Sequence, residues 1–558
     1  MARTLRPLAV AVVFLLVLVS VASAAPVRPR LVVLISIDQF RADYQTRFYD
    51  LFLPPVGKAG VGGFRYLMER GAYHTDSHHD HYPLVTAVGH SIHMTGAPPY
   101  KTGIVGNEWF DRDLNAERYC VSDTQSPLVG AADPDGKLGI SPATLRVSTV
   151  GDELKMATGG QAKVWGVSLK DRAAVLMAGR LADGVLWFDD ETGAWITSRF
   201  YRKDGTLPKW VADWNAAKKI DPLFGKPWEL SVPPAALKRL WAPANEFVSP
   251  RYGLGTAFPH PVNGGLQQPG PDFYAAFTNT PFANRYVIDT AEEIVRQERL
   301  GQDATPDVLV INLASNDYIG HAFGPDSAEV LDVTVRTDAE LSRFFRFLGK
   351  NVPGGLQSVT LVVTADHGVA PIAGAMQKAG FPAGAIQLNK DVVQKALEAK
   401  LGPGDWVQDV VETNVYLNRQ SLAAKGIDPA QAESAAAEAL RKVPGIYAAF
   451  TRAQLLDGRM LDNDIAQRVA RSFHPKVSGD VIVVPDPFWV PGRLTGTTHG
   501  SPYAYDTSVP LLLAGAGIKP GRYTQRVSTL DIAPTLSDLL GILQPSGCEG
   551  HILSPALK

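Results

Sequence analysis

The sequence predicts an α/β fold, a mostly parallel central sheet with helices on both faces, and two observations carry that reading. Apolar runs of strand length recur along the chain, each continuous rather than alternating, as strands buried on both faces require. Patterns with helical spacing separate them, and that alternation places helices over both sides of a parallel sheet. No internal repeat and no low-complexity tract interrupts the pattern.

Ahead of the first strand, Arg3 and Arg6 lead into LAVAVVFLLVLVSVASAA, with small residues at Ala22 and Ala24 before Ala25, which reads as a secretory signal peptide over residues 1–24. The run is long enough to make an uncleaved anchor the alternative. No cysteine stands near the cleavage site, which argues against a lipid anchor. The expectation is a periplasmic or secreted protein with no stable membrane association once 1–24 is removed. The first strand is LVVLISID, Leu31 to Asp38. From about 111 to 301 the chain is rich in Gly, Pro and Trp and reads as loops and insertions around a smaller strand-bearing part, its tryptophans serving as packing. DVLVINL, Asp307 to Leu313, is the next strand, followed by a helix from Ser327 with Leu341, Phe344, Phe345 and Leu348 on one face. SVTLVVTADHG, Ser358 to Gly368, and VPLLLAGAGI, Val509 to Ile518, complete the strands read as parallel. Between them a second insertion, about 374 to 480, carries Ala-rich helical segments, and DIAPTLSDLLGI gives a closing helix.

Composition bounds the partners. With 45% hydrophobic and 20% charged residues the chain is globular, and a formal charge of -2 excludes the basic field of a nucleic-acid polymer binder. An anionic ligand must therefore be small and met by local groups. The two cysteines, Cys120 and Cys548, allow no CxxC motif and leave one disulfide or two free thiols equally open.

In doubly wound folds ligands gather beyond the carboxyl ends of the strands, and there the polar residues concentrate. Asp38 closes the first strand, Asp317 and His321 follow the second in SNDYIGHAFGP, Asp366 and His367 close the third in TADHG, and His499 stands in GTTHGSP. Three carboxylates and three imidazoles form a mixed oxygen and nitrogen donor set suited to zinc or a similar divalent ion. Thr86, in PLVTAVGHSIHMTG, is either a helix N-cap or a nucleophile held at a helix N-terminus. Lys170 and Arg172, just beyond another strand in VWGVSLKDRAAV, and Asn107 in TGIVGNEWF add donors for an anion.

As an ordered set, SID at Asp38, the threonine before a helix, DxxxH at Asp317 and His321, ADHG at Asp366 and THGS at His499 resemble the alkaline phosphatase superfamily. More narrowly they resemble its two-zinc branch with a threonine nucleophile, which holds bacterial alkaline phosphatases and nucleotide pyrophosphatase/phosphodiesterases. The resemblance implies a single alkaline-phosphatase-like catalytic domain over 25–558. It assigns Asp317, His321 and His499 to one metal, Asp38, Asp366, His367 and Thr86 to the other, and makes Thr86 the nucleophile of a phospho-threonine route. Asn107, Lys170 and Arg172 match the residues that clamp phosphate in the phosphomonoesterases. Charge counting agrees: two divalent ions balance three carboxylates and an ionised Thr86, so Lys170 and Arg172 leave two positive charges for a monoester dianion. The expected substrates are small phosphate esters, hydrolysed as monoesters; a phosphodiesterase or pyrophosphatase, and a non-catalytic metal or phosphate binder, are the alternatives, and the oligomeric state stays open. The tract HTDSHHDHYP, His74 to Pro83, reads as a polar loop ahead of Thr86, and His90 as no ligand.

Overall fold

The run Leu31–Ile37 forms a strand with every residue buried, because helices cover both of its faces. Leu31, Val33, Ile35 and Ile37 enter one apolar cluster, and Val32 and Leu34 enter a second on the opposite face. The computed structural model describes residues 28–55, 61–131, 138–240, 245–460 and 462–558, so residues 1–24, read above as a signal peptide, lie outside the described residues. Along the chain, the elements that position the site are β1 (Leu31–Ile37), α1 (Thr86–His93), β2 (Val164–Ser168), β3 (Gly184–Asp189), β4 (Asp307–Leu313), α2 (Ser315–Phe323), α3 (Ala328–Asn351), β5 (Val359–Thr364) and β6 (Leu511–Gly515).

The central sheet has 11 strands, and its middle runs β6-β5-β1-β4-β2-β3. From β5 to β3 every neighbouring pair is parallel. Leu31 lies opposite both Asp307 and Val359, and Ser36 opposite both Asn312 and Thr364, so β1, β4 and β5 end level with one another. β2 and β3, drawn from the stretch 111–301, continue the parallel block; Ala194–Ser198 and Ser122–Val129 extend it antiparallel. Gly166 inside β2 allows a close approach, since a Cβ there would lie 3.1 Å from that of Ala178 in the helix above.

One strand corrects the sequence reading. The run from Val509 to Ile518 yields β6, which pairs antiparallel with β5, Thr360 opposite Gly515 and Val363 opposite Leu512. An unbroken apolar run reports burial on both faces and says nothing of direction. The chain leaves β5 at the site end and returns there through the His499 loop, so its next strand must run away from that end.

The long helix α3 starts beyond Ser327, whose Oγ accepts from the Val330 N–H at 3.1 Å, and it buries Leu341, Phe344, Phe345 and Leu348 as its spacing requires. Between β5 and β6 a separate antiparallel sheet forms from Val407–Val411, Asn414–Leu417, Val481–Pro485 and Ile446–Thr451. It has its own apolar cluster, to which the helices Lys390–Leu401 and Pro429–Leu440 contribute Val393, Leu397, Ala436 and Leu440. Cys120 and Cys548 are free thiols. Among the described residues no helix is long and apolar enough to cross a membrane.

Candidate active site

Level strand ends bring distant residues to one place. Asp38 follows β1 directly, Asp366 and His367 follow β5 by two and three residues, and Asp317 and His321 sit one turn apart on the same face of α2. His499 comes from the loop before β6. Two sets result. Ligand atoms of Asp317, His321 and His499 lie within 4.8 Å of one another, with His321 Nε2 3.1 Å and His499 Nε2 3.6 Å from Asp317 Oδ1. In the other set, His367 Nε2 is 3.0 Å from Asp366 Oδ2, and the carboxylates of Asp38 and Asp366 are neighbours.

Each histidine of the two sets is oriented in the same way. His321 Nδ1–H donates to Thr497 O at 2.8 Å, His367 Nδ1–H to Gly368 O at 2.9 Å, and His499 Nδ1–H to Leu84 O at 2.7 Å. A ring that donates through Nδ1 to a carbonyl keeps its Nε2 lone pair for a cation. His90 also lies within reach of Asp38 and Asp366, yet its Nδ1–H donates to Thr86 O at 2.9 Å and its Nε2 accepts from Asn312 Nδ2 at 3.0 Å. No lone pair of His90 is left over.

The remaining donors test whether cations fit. Asp38 Oδ1, Asp366 Oδ2 and His367 Nε2 are fully buried and make no hydrogen bond. Burial and the adjacent Asp366 push the Asp38 carboxyl up to about 7. Against the same burial, His321, when its ring is protonated, and Lys170 hold Asp317 well below the usual carboxylate range, and a protonated His367 holds Asp366 down; a bound cation would take the place of those ring protons. Three carboxylates packed this closely need added positive charge to ionise together, and the mixed donor set with unspent lone pairs fits divalent cations.

Around these sets the predicted anion donors divide. Lys170 Nζ lies 2.7 Å from Asp38 Oδ2 and 2.5 Å from Asp317 Oδ2, so its ammonium joins the two sets. Arg172 stands apart from the carboxylates; its Nη1 is 3.3 Å from the Tyr119 hydroxyl, and its buried Nε has no partner. Thr86 is the first residue of α1, buried, and the helix carries no side-chain cap. Asn107 Oδ1 accepts from the Ala87 N–H at 2.9 Å, which leaves its NH2 group for other partners.

Several participants were not legible in the sequence. Gln39, at a φ of 60°, donates through its N–H to Asp366 Oδ1 at 3.1 Å and through Nε2 to Asp317 Oδ1 at 2.6 Å, bridging the two sets. A Cβ at Gly320 would fall 1.8 Å from Gln39 Oε1, so a larger residue there would push the Gln39 carboxamide out of its bridging position. The histidine tract also departs from the polar loop expected of it. His79 and His81 are buried, and His79 Nε2–H at 2.9 Å and His93 Nε2–H at 3.2 Å both donate to Ala365 O, next to Asp366. Glu412 reaches the Asn107 turn from the second sheet.

Comparison with known proteins bears on this geometry. The family model for type I phosphodiesterase / nucleotide pyrophosphatase matches residues 32–502. The chain is 34% identical over 535 residues to alkaline phosphatase PhoV of Synechococcus elongatus, covering 95% of this chain and 93% of that protein. It is 35% identical over 537 residues to alkaline phosphatase PafA of Elizabethkingia meningoseptica, covering 95% of each. The crystal structure of wild-type PafA superposes with a TM-score of 0.87 at 34% identity, covering 96% of this chain and 100% of that one. A PafA variant substituted at a threonine, an asparagine, a lysine and an arginine superposes with a TM-score of 0.86 at 33% identity, with the same coverage.

Proposed function

The chain belongs to the type I phosphodiesterase / nucleotide pyrophosphatase family and is an alkaline phosphatase, a hydrolase of phosphate monoesters; from that premise we propose that it works through a covalent phosphate on Thr86. The observation that supports this reading is the pair of candidate ligand sets, each histidine donating through Nδ1 to a carbonyl and so free to offer Nε2, together with a threonine that opens α1 without capping it. Asp317, His321 and His499 would hold one divalent cation, and Asp38, Asp366 and His367 with Thr86 the other; the donor types suit zinc. When bound, such ions supply positive charge beside the attacking and leaving oxygens of a phosphoryl transfer.

The chain's own residues do the rest. The Thr86 oxygen attacks phosphorus and its proton is lost; the bond to the ester oxygen breaks, and the alcohol leaves with a proton. A water then attacks the phospho-threonine, the bond to Thr86 breaks, and inorganic phosphate is released as Thr86 recovers its proton. Arg172 Nε and the Asn107 NH2 are donors without a protein partner, suited to phosphate oxygens. Lys170 adds a charge between the sets, and the pair of cations favours a dianionic monoester over a diester monoanion. The PafA variant changes the same four residue types that stand here at Thr86, Asn107, Lys170 and Arg172. For cellular location, residues 1–24 support export to the periplasm or medium, and the intact mass of the mature protein should begin near Ala25.

Acid-quenching the metal-loaded enzyme during monoester turnover should trap phosphate on the peptide that contains Thr86. Thr86→Ala should yield no trapped peptide and lose at least a thousandfold in kcat, about 4 kcal/mol, with Thr86→Ser keeping a measurable part. Phosphate trapped on another residue, or a Thr86→Ala enzyme within tenfold of wild type, would refute the covalent route through Thr86.

A further inference from the structure

The second sheet reaches the site through one residue. Its hairpin of Val407–Val411 and Asn414–Leu417 turns at Glu412, whose φ of 51° is a conformation that glycine adopts freely and a glutamate does not. Such an outlier persists only where a contact compensates for it. Glu412 Oε1 accepts from the Asn107 N–H at 3.1 Å, and Oε2 comes so near Gly106 that a Cβ there would stand 2.6 Å from it. The Asn107 and Glu108 N–H groups and Arg172 draw the Glu412 carboxylate toward this turn. A strained backbone and a carboxylate that accepts from this turn thus converge on three residues, 106–108.

The other side of that turn leads to the nucleophile's helix. Asn107 Oδ1 accepts from the Ala87 N–H, one residue past Thr86, so the orientation of the Asn107 carboxamide is tied both to α1 and to the second sheet. The strand that follows Asn107 is gripped by the same sheet: Arg112 donates to Ser478 O at 3.1 Å and to Asp480 Oδ2 at 3.0 Å, with its guanidinium 4.9 Å from the centre of the Tyr416 ring.

We propose that Glu412 is a positioning residue of the substrate site: its carboxylate fixes the turn at Asn107 and so aims the Asn107 NH2 group at the phosphoryl group. The proposal rests on the reading of Asn107 as a phosphate ligand given above. It makes the second sheet part of the substrate-binding apparatus, although that sheet supplies no metal ligand.

Glu412→Gly is the apt variant, because glycine suits the φ and removes the carboxylate without risk to the turn. In the metal-loaded, full-length enzyme it should keep or raise the melting temperature. It should also raise both the KM for p-nitrophenyl phosphate and the inhibition constant of inorganic phosphate about tenfold, with kcat changed less than threefold. Glu412→Gln, which keeps an acceptor for the Asn107 N–H, should restore most of the loss. In an Asn107→Ala background, Glu412→Gly should add less than twofold, since the group it aims is gone. An unchanged KM in Glu412→Gly, or full additivity with Asn107→Ala, overturns the proposal. Failure of the underlying reading looks different: Asn107→Ala by itself would leave both constants unchanged, and that result removes the phosphate-binding role together with the proposal built on it.

Discussion

A histidine ring has two nitrogens, and at this site the main chain settles which one is offered. Thr497, Gly368 and Leu84 each take an Nδ1–H, so His321, His367 and His499 present Nε2 on the same side of the sheet. Arg172 differs from its neighbour Lys170 in just this respect: Lys170 is committed to Asp38 and Asp317, while Arg172 Nε has no partner. Arg172→Ala should therefore lower kcat/KM for a monoester about a hundredfold, about 2.7 kcal/mol and in the range of hydrogen bonds to charged groups. A diester should lose much less; equal losses would assign Arg172 to support of the Tyr119 region instead. The strand-end aspartates and the histidines that follow them were legible because they recur at one end of one sheet. Gln39 was not, since its part depends on a left-handed φ, and Glu412 was not, since it reaches the site only across a tertiary contact. The burial of His79 and His81 was hidden for a related reason: a polar tract is compatible with the interior when carbonyls such as Ala365 O stand ready to accept from it.

Elements fix positions through their ends. The carboxyl ends of β1, β4 and β5 are level, and α2 begins two residues beyond β4, so short excursions suffice to gather the candidate ligands, more than 400 residues apart in sequence from Asp38 to His499. Strand existence was readable from continuous apolar runs; strand direction was not, as β6 shows. Helix starts were readable where a cap residue stood before an apolar stripe. Ser327→Ala removes the acceptor for the Val330 N–H at the head of α3 and should destabilise the protein by about 1 kcal/mol in denaturant unfolding, with kcat and KM unaltered. No loss of stability would mean that water replaces the cap at no cost.

At the scale of the whole molecule, charge and proton balance decide stability. Asp38 and Asp317 share the ammonium of Lys170 and Asp366 is buried beside Asp38, so each bound cation should stabilise the fold by about 4 kcal/mol at a thousandfold excess over its Kd. Exhaustive EDTA should abolish turnover and lower the melting temperature, and zinc should restore both; a chelated enzyme that melts as before would contradict the assignment of the ligands. Acid should act through buried histidines. His74 is buried beside the Tyr523 ring with neither nitrogen bonded, and burial lowers its pKa from 6.5 to about 4. The unfolded chain therefore binds the extra proton between those values, and stability falls as pH drops through that window. His74→Phe should remove about 2 kcal/mol of the loss in unfolding free energy between pH 7.5 and pH 5; an unchanged pH dependence would show that His74 gains a partner when it charges. The level register of β1, β4 and β5 also bears on how the chain can vary in length. One residue inserted within β1 would carry Asp38 about 3.3 Å onward and turn it to the opposite face of the sheet, whereas residues added in a surface connection leave that register untouched. Descendants of this sequence can therefore lengthen or shorten their connections freely, but their strands must keep count.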